Sequence, residues 1–465
     1  MELDLAVING TAYVGGVFKK VDIGIKDEKF AMITEPGCLP KAEKTIDAEG
    51  KYVIPGGIDP HVHFRDPTIP GRAKWDSESM LAARGGTTTI LEHPVSSPPP
   101  YNKDIFLNRF KVVEERGSVV DYAFYGAAGG EFPENIVDLA EAGAIAYKTF
   151  LHEPLPGREK EFTGLTMSTD YEVLVGMTEI AKTGLMLASH AENNDIISSL
   201  INKFISEGKV DGKYHSLSRP PISEYLEVQK LMTIADATGC ALLLAHISTP
   251  EAMQMAKEAK AKNKKVFLET CPHYLLKTEE EVVKHKAYGK CNPPLRNQET
   301  IDAIWEYVLD GTVDWIGSDH GDDTREENER GNENIFLGIS GFQGINLRLP
   351  LMINEVVKGE RGITLERVVQ LCCENPAKCF NIYPQKGVIQ PGSDGDLVIF
   401  DLHDQMRCEF TPNTKIYDDD ILGCKLNYTI LRGKVVMDEG VVDPEASGTK
   451  HWGKPVWSHM ANRKA

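Results

Sequence analysis

The chain has 465 residues, 41% hydrophobic and 26% charged, with a formal net charge of −18. That length suits one large α/β barrel plus a smaller module better than a single average domain. The negative balance argues against nucleic acid and anionic membrane as partners, and no apolar stretch approaches the roughly 20 residues that a spanning helix needs.

Nine cysteines are scattered between Cys38 and Cys424 without a CxxC pair. This usage reads as reduced thiols, mostly packing residues, in a cytoplasmic protein. The opening MELDLAVING starts on a strand-like pattern and lacks the basic and apolar segments of a targeting signal.

Residues 1–55 read as short strands broken by turns, with Leu5–Ile8, Val21–Ile25 and Phe30–Ile33 rich in β-branched and aromatic residues. From Tyr52 onward the pattern changes. Apolar runs of strand length recur at Ile54–Phe64, Thr87–Leu91, Tyr122–Gly126, Ala144–Phe150, Leu185–Ser189, Ala241–Ala245, Val266–Glu269 and Val313–Gly317. Amphipathic helical stretches lie between them, among them Tyr171–Lys182, Ile222–Ala237, Pro250–Lys262 and Glu299–Val308. Asp170 and Thr249 stand as N-caps for two of these, Pro250 following at the first helical position. Eight strands alternating with helices predict a closed (β/α)8 TIM barrel.

After a helical region, Leu365–Cys379, strands return at Asp396–Asp401, Tyr428–Leu431 and Lys434–Met437, with Arg432-Gly433 as a hairpin turn. Two separate tiny sheets would bury too little core, so residues 1–55 and 384–440 are expected to form one small β-sandwich module. Residues 56–383 then form the barrel, and residues 441–465, with Trp452 and Trp457, an arm lying on another surface.

Catalytic groups of such barrels sit at the C-terminal ends of strands. The first run ends on His61-Val62-His63, the fourth near Lys148, the fifth on His190, the sixth on His246 and the eighth on Asp319. Residues two apart on a strand project to one face, so His61 and His63 can reach one cation. A lone histidine at a strand end is more often a hydrogen-bonded core residue, and a lone lysine there a salt-bridged one. Their joint placement at one end of the barrel is what argues for a metal centre.

The segments GGIDPHVHFRDP, GAIAYKTF, ASHAEN, AHIST and GSDH together resemble the cyclic amidohydrolases of the amidohydrolase superfamily: dihydroorotase, allantoinase, and hydantoinase or dihydropyrimidinase. The resemblance covers essentially the whole chain. It implies that His61 and His63 bind the more buried of two divalent metal ions. It implies that Lys148 carries a carbamate (N6-carboxylysine) bridging them, and that His190 and His246 bind the second ion. Asp319 would bind the first ion and act as general base and acid. Imidazole and carboxylate ligands suit zinc, though manganese, iron or cobalt also fit. Asp59 and Glu192 are candidates for orienting the ligands; their other reading is as turn and surface residues. A homodimer or homotetramer is expected.

The motifs disagree on the substrate. Arg65 follows the HxH as in dihydroorotases, where it binds a substrate carboxylate, and Cys291–Arg296 keeps an asparagine, Asn292, used on the ring. Ser96 stands where a dihydroorotase would show asparagine, and the SSPP run with Gly71, Arg72, Lys74 and Trp75 is closer to allantoinase. Asp322-Asp323 follow where a second histidine is expected, so Arg65 either binds a carboxylate or pairs with these aspartates. The loop His152–Phe162 leaves the active-site face and reads either as a pocket cover or as a solvated excursion. Three functions follow: a cyclic amide or ureide hydrolase nearest allantoinase and dihydroorotase; a hydantoinase or dihydropyrimidinase; and, from another class, a non-catalytic scaffold relative, which would have lost metal ligands.

Overall fold

The computed structural model describes residues 2–152, 158–408, 414–418 and 420–459. Eight parallel strand positions close into a barrel. They are Gly57–His63, Thr87–Glu92, Asp121–Phe124 continuing as Gly126–Ala127, Tyr147–Phe150, Met186–His190, Ala241–Leu244, Val266–Thr270, and Trp315–Ile316 resumed at His320–Gly321. Each pairs in parallel with the next, and His320–Gly321 closes the ring against Val62-His63. The strands are buried almost throughout because helices cover their outer face, which is why they read as apolar runs without alternation.

The first run does not continue unbroken from Ile54 to Phe64, as the sequence had it. It splits at Gly56, where a Cβ would lie 2.1 Å from Thr88 Oγ1. Tyr52–Pro55 goes to the β-module, and Gly57–His63 to the barrel. Apolarity alone cannot show a strand changing sheets.

The module is a sandwich. One sheet holds Lys29–Thr34, Asp22–Lys26, Leu3–Ile8 and Ala42–Asp47 in that order. The other runs Lys434–Asp438, Lys425–Leu431, Leu397–Asp401, Tyr52–Pro55, Thr11–Val14, Val17–Lys20, so strands from both chain ends pair directly. Leu5, Ile23, Ile25 and Phe30 meet Val53, Leu397, Ile399 and Ile430 between the sheets. Arg432 and Gly433 turn the last hairpin at φ 44° and 78°.

One capping assignment changes and one stands. Thr169, not Asp170, caps helix Asp170–Thr183, in a capping box with Glu172. Thr249 occupies the cap position of Pro250–Ala261 as expected, but makes no cap bond; its hydroxyl is turned toward Glu224, to which it donates at 2.5 Å. The stretch Leu365–Cys379 is helical with a π-turn at Gln370–Glu374.

The terminal arm lies along the start of the third barrel strand: Gly453 N donates to Ser118 O, Tyr122 N to Lys454 O, and Val456 N to Tyr122 O. Trp457 packs on Phe110. Residues 460–465 of the expected arm and 153–157 of the long loop lie outside the described residues. At the same end of the barrel the buried Lys386 ammonium meets Asp121, Asp394 and Asp396 at 2.5, 2.9 and 2.7 Å. Those three carboxylates could be mistaken for a metal cage; the lysine supplies their cation and ties barrel to module. Among the described residues, no helix is long and apolar enough to cross a membrane.

Candidate metal centre

His61 and His63 project from the C-terminal end of the first strand, and the eighth strand brings Asp319 against both. Its Oδ1 lies 3.1 Å from His61 Nε2 and 3.3 Å from His63 Nε2. The fifth and sixth strands bring His190 Nδ1 to 3.1 Å from His246 Nε2. The rings of His61 and His246 are 5.3 Å apart, so the two histidine pairs adjoin. Lys148 is fully buried, and its Nζ has no hydrogen-bond partner. Burial pulls its amine down to about 8, against the opposing pull of Asp319 and Glu269. Burial would raise the Asp319 carboxyl, but His61, His63 and His246 hold it well below its usual range.

The six residues singled out in the sequence therefore converge on one spot. Lys148 Nζ, His63 Nδ1 and His246 Nδ1 are buried there without a hydrogen-bond partner, which is costly in an apolar core. A set of four imidazoles, a carboxylate and a neutral-prone amine fits a pair of divalent cations. Backbone strain also collects here: Arg65, His246 and Asp319 have φ of 58°, 42° and 50°, in the left-handed region that non-glycine residues avoid.

The far nitrogens of two imidazoles are fixed from behind. Glu192 Oε2 lies 2.8 Å from His190 Nε2 and is also paired with Arg219. His61 Nδ1 is held at 2.5 Å by Glu269 Oε1, which also accepts from His246 N, while Oε2 accepts from Trp315 Nε1 at 2.8 Å. Sequence reasoning missed Glu269. Its signal was an acid closing an otherwise apolar strand. His93, also missed, directly follows the second strand and stacks on His61. Asp59 does not touch an imidazole: Oδ1 accepts from the backbone of His61 and Ser318, and Oδ2 lies 3.3 Å from Arg348 Nε, which ties the first strand to the eighth.

Arg65 sits beside the centre and is already paired. Its Nη1 lies 2.5 Å from Asp323 Oδ1, and its Nε 3.8 Å from Asp322 Oδ1. Its turn is pinned by Glu92, which accepts from Phe64 N and Arg65 N at 2.9 Å each. Both carboxyl oxygens of Asp322 are buried without a hydrogen-bond partner. Burial pushes that carboxyl up to about 8 despite Arg65. Arg72 bridges Glu161, at 2.8 Å, and Glu327, at 2.6 Å, linking the loop after the fourth strand to the one after the eighth. Ser96 spends its hydroxyl on Pro98 O at 2.9 Å, within its own loop. Asn292 Oδ1 is buried and unpartnered.

Residues 52–436 match the amidohydrolase family. The chain is 35% identical over 434 residues to an L-hydantoinase of Paenarthrobacter aurescens, covering 91% of this chain and 92% of that protein. It is 36% identical over 404 residues to an allantoinase of Bacillus velezensis, covering 86% and 85%. The solved L-hydantoinase (dihydropyrimidinase) from Arthrobacter aurescens superposes with a TM-score of 0.91 at 32% identity, over 98% of this chain and 100% of that one. The family match spans the barrel and every strand end that carries a site residue, and on that ground the chain belongs to the amidohydrolase family.

Proposed function

We propose that this chain is a two-metal hydrolase that opens the ring of a neutral cyclic amide or ureide, of the allantoin or hydantoin kind. The observation that carries the reading is the convergence of His61, His63, His190, His246 and Asp319 around the buried, partnerless amine of Lys148. His61, His63 and Asp319 would hold one ion, and His190 and His246 the other. A neutral Lys148 amine can add CO2, and the resulting carbamate would bridge the two. When bound, the ions polarise the ring carbonyl and activate water, and zinc suits these ligands. Asp319 takes a proton at its carboxylate from the attacking water and returns it to the leaving ring nitrogen. Glu269 and Glu192 fix the His61 and His190 rings so that their inner nitrogens face the centre.

A neutral ring is favoured over a carboxylated one because Arg65 already has a carboxylate partner in Asp323. Substrate N–H groups would instead meet unfilled acceptors such as Asn292 Oδ1. The scaffold reading expects lost ligands, and none of the six positions has lost its residue. Nine free cysteines, most of them buried, support a cytoplasmic setting. We assign a homodimer or homotetramer as the working assembly. The test is metal analysis together with a panel of allantoin, hydantoins, dihydrouracil and dihydroorotate. Protein purified without chelators should hold about two transition-metal ions per chain and turn over a neutral ring. Absence of bound metal, or turnover of dihydroorotate alone, would overturn the reading.

A further inference from the structure

His93 has no role in the scheme above, yet it stands in its middle. It directly follows the second barrel strand, is fully buried, and with His61 and His63 offers ligand-capable nitrogens all within 4.8 Å of one another. Its ring lies nearly parallel to that of His61, with centroids 3.8 Å apart and planes 15° apart. It meets His63 edge-on at 5.2 Å, and the Tyr125 ring covers it at 4.1 Å.

Three features fix what this imidazole can do. Its Nε2 lies 3.2 Å from the Pro60 carbonyl, which can only accept, so Nε2 carries the proton. The Tyr125 hydroxyl donates to the same carbonyl at 3.1 Å, so the ring and the tyrosine behind it are pinned to one backbone atom, the residue before His61. Nδ1 then bears a lone pair with no partner, leaving a neutral ring that can sit beside cations. In-plane lone pairs of two near-parallel rings do not converge on one ion, so the stack is a poor arrangement for joint ligation by His61 and His93.

We propose that His93 is a positioning residue: a neutral brace stacked on His61 that fixes the plane of that ligand ring. Glu269 holds His61 at its edge by a single bond about which the ring could still swing. A flat partner 3.8 Å away removes that freedom. Ring orientation sets where the His61 Nε2 lone pair points, and through it the retention of the ion shared with His63 and Asp319. This inference rests on the two-metal reading.

The experiment compares wild type, His93→Leu and His93→Phe by chelator-challenged metal release and by the visible spectrum after cobalt loading, with melting curves to confirm folding. Leucine fills the volume without a flat face; phenylalanine keeps the face without a lone pair. His93→Leu should release one of its two ions about tenfold to a hundredfold faster, the range found when orienting partners are lost. His93→Phe should stay within about threefold of wild type with an unchanged cobalt spectrum, since the stack survives. Wild-type retention in His93→Leu overturns the brace. A cobalt spectrum altered in His93→Phe, with loss equal to that of leucine, also overturns it, by making His93 a ligand. Should leucine unfold the chain, His93→Met, which also lacks a flat face, takes its place in both comparisons. Wild-type protein that takes up no metal overturns the two-metal reading itself, and the brace with it.

Discussion

Arg65 and Asp323, 258 residues apart in the chain, meet as a buried ion pair with Nη1 2.5 Å from Oδ1. A guanidinium whose charge is already met by a resident carboxylate gains less from a second anion, so this pair bears directly on substrate choice. Removing one partner of a buried pair strands the other charge and costs roughly 3–5 kcal/mol. Arg65→Met is therefore expected to lower the melting temperature, and to lower kcat/KM on carboxylated and neutral rings of one size by similar factors. A large loss confined to the carboxylated ring, in a variant as stable as wild type, would reinstate the dihydroorotase-like reading.

On the proposed two-metal reading, Lys148→Ala is expected to lose most metal and nearly all activity, because alanine cannot carry the proposed carbamate. Short carboxylic acids added to the variant should restore part of both. Full metal content and near-wild-type kcat without added acid would show that Lys148 is only a buried packing residue.

Asp319→Asn keeps an oxygen facing His61 and His63 but cannot shuttle a proton. Much of the metal should remain bound while kcat falls by about two to four decades, the usual worth of a positioned general base. Measuring metal content and kcat on the same preparation separates the two roles, and a loaded variant that turns over normally removes Asp319 from proton transfer.

Asp322 gives a pH prediction whose sign can be worked out. Its carboxyl titrates from an ordinary 3.8 up to about 8 in the folded chain, through burial first and Asp323 repulsion besides, with Arg65 opposing. Between those values the folded chain holds a proton that the unfolded chain has lost. Raising pH through the window thus costs stability, by at most about 1.4 kcal/mol per pH unit for one group. Asp322→Asn has no such proton to lose. The melting temperature of the variant minus that of wild type should grow from about pH 5 to about pH 8, and a difference constant across that range would count against a protonated Asp322.

Much of this was legible in the sequence, because periodicity and strand-end chemistry are local signals. The eight apolar runs mark the barrel strands, and four histidines, a lysine and an aspartate at their ends mark the centre. What escaped needed distant partners. One apolar run divides between two sheets at Gly56, where Thr88 leaves no room for a side chain. Thr249 sits at the cap as expected, yet its hydroxyl is turned toward Glu224 and caps no backbone N–H. The pairing of Arg65 with Asp323 shows only once the segment after the eighth strand is placed against it. His93 and Glu269 looked like ordinary strand residues, because stacking and back-side hydrogen bonding leave no spacing pattern to find.

Glu269 supplies the last prediction. One buried carboxylate serves three donors: Oε1 faces His61 Nδ1 at 2.5 Å and accepts from His246 N at 3.0 Å, and Oε2 accepts from Trp315 Nε1 at 2.8 Å. It therefore fixes the tautomer and direction of His61 while holding the backbone of His246. Glutamine in its place keeps the shape but turns one oxygen into a donor, which must confront either the His61 N–H or the indole N–H. Facing the indole, it leaves His61 with a neutral acceptor; facing His61, it forces that ring to flip its proton onto the nitrogen meant for the metal. Either way Glu269→Gln should weaken metal binding about tenfold to a hundredfold, with the loss falling first on the ion shared by His61, His63 and Asp319. Glu192→Gln, behind His190, should instead weaken the other ion. Chelator competition on both variants, followed by cobalt reloading, distinguishes the two sites. Wild-type affinity for both ions in Glu269→Gln would mean that the His61 ring is held without its carboxylate.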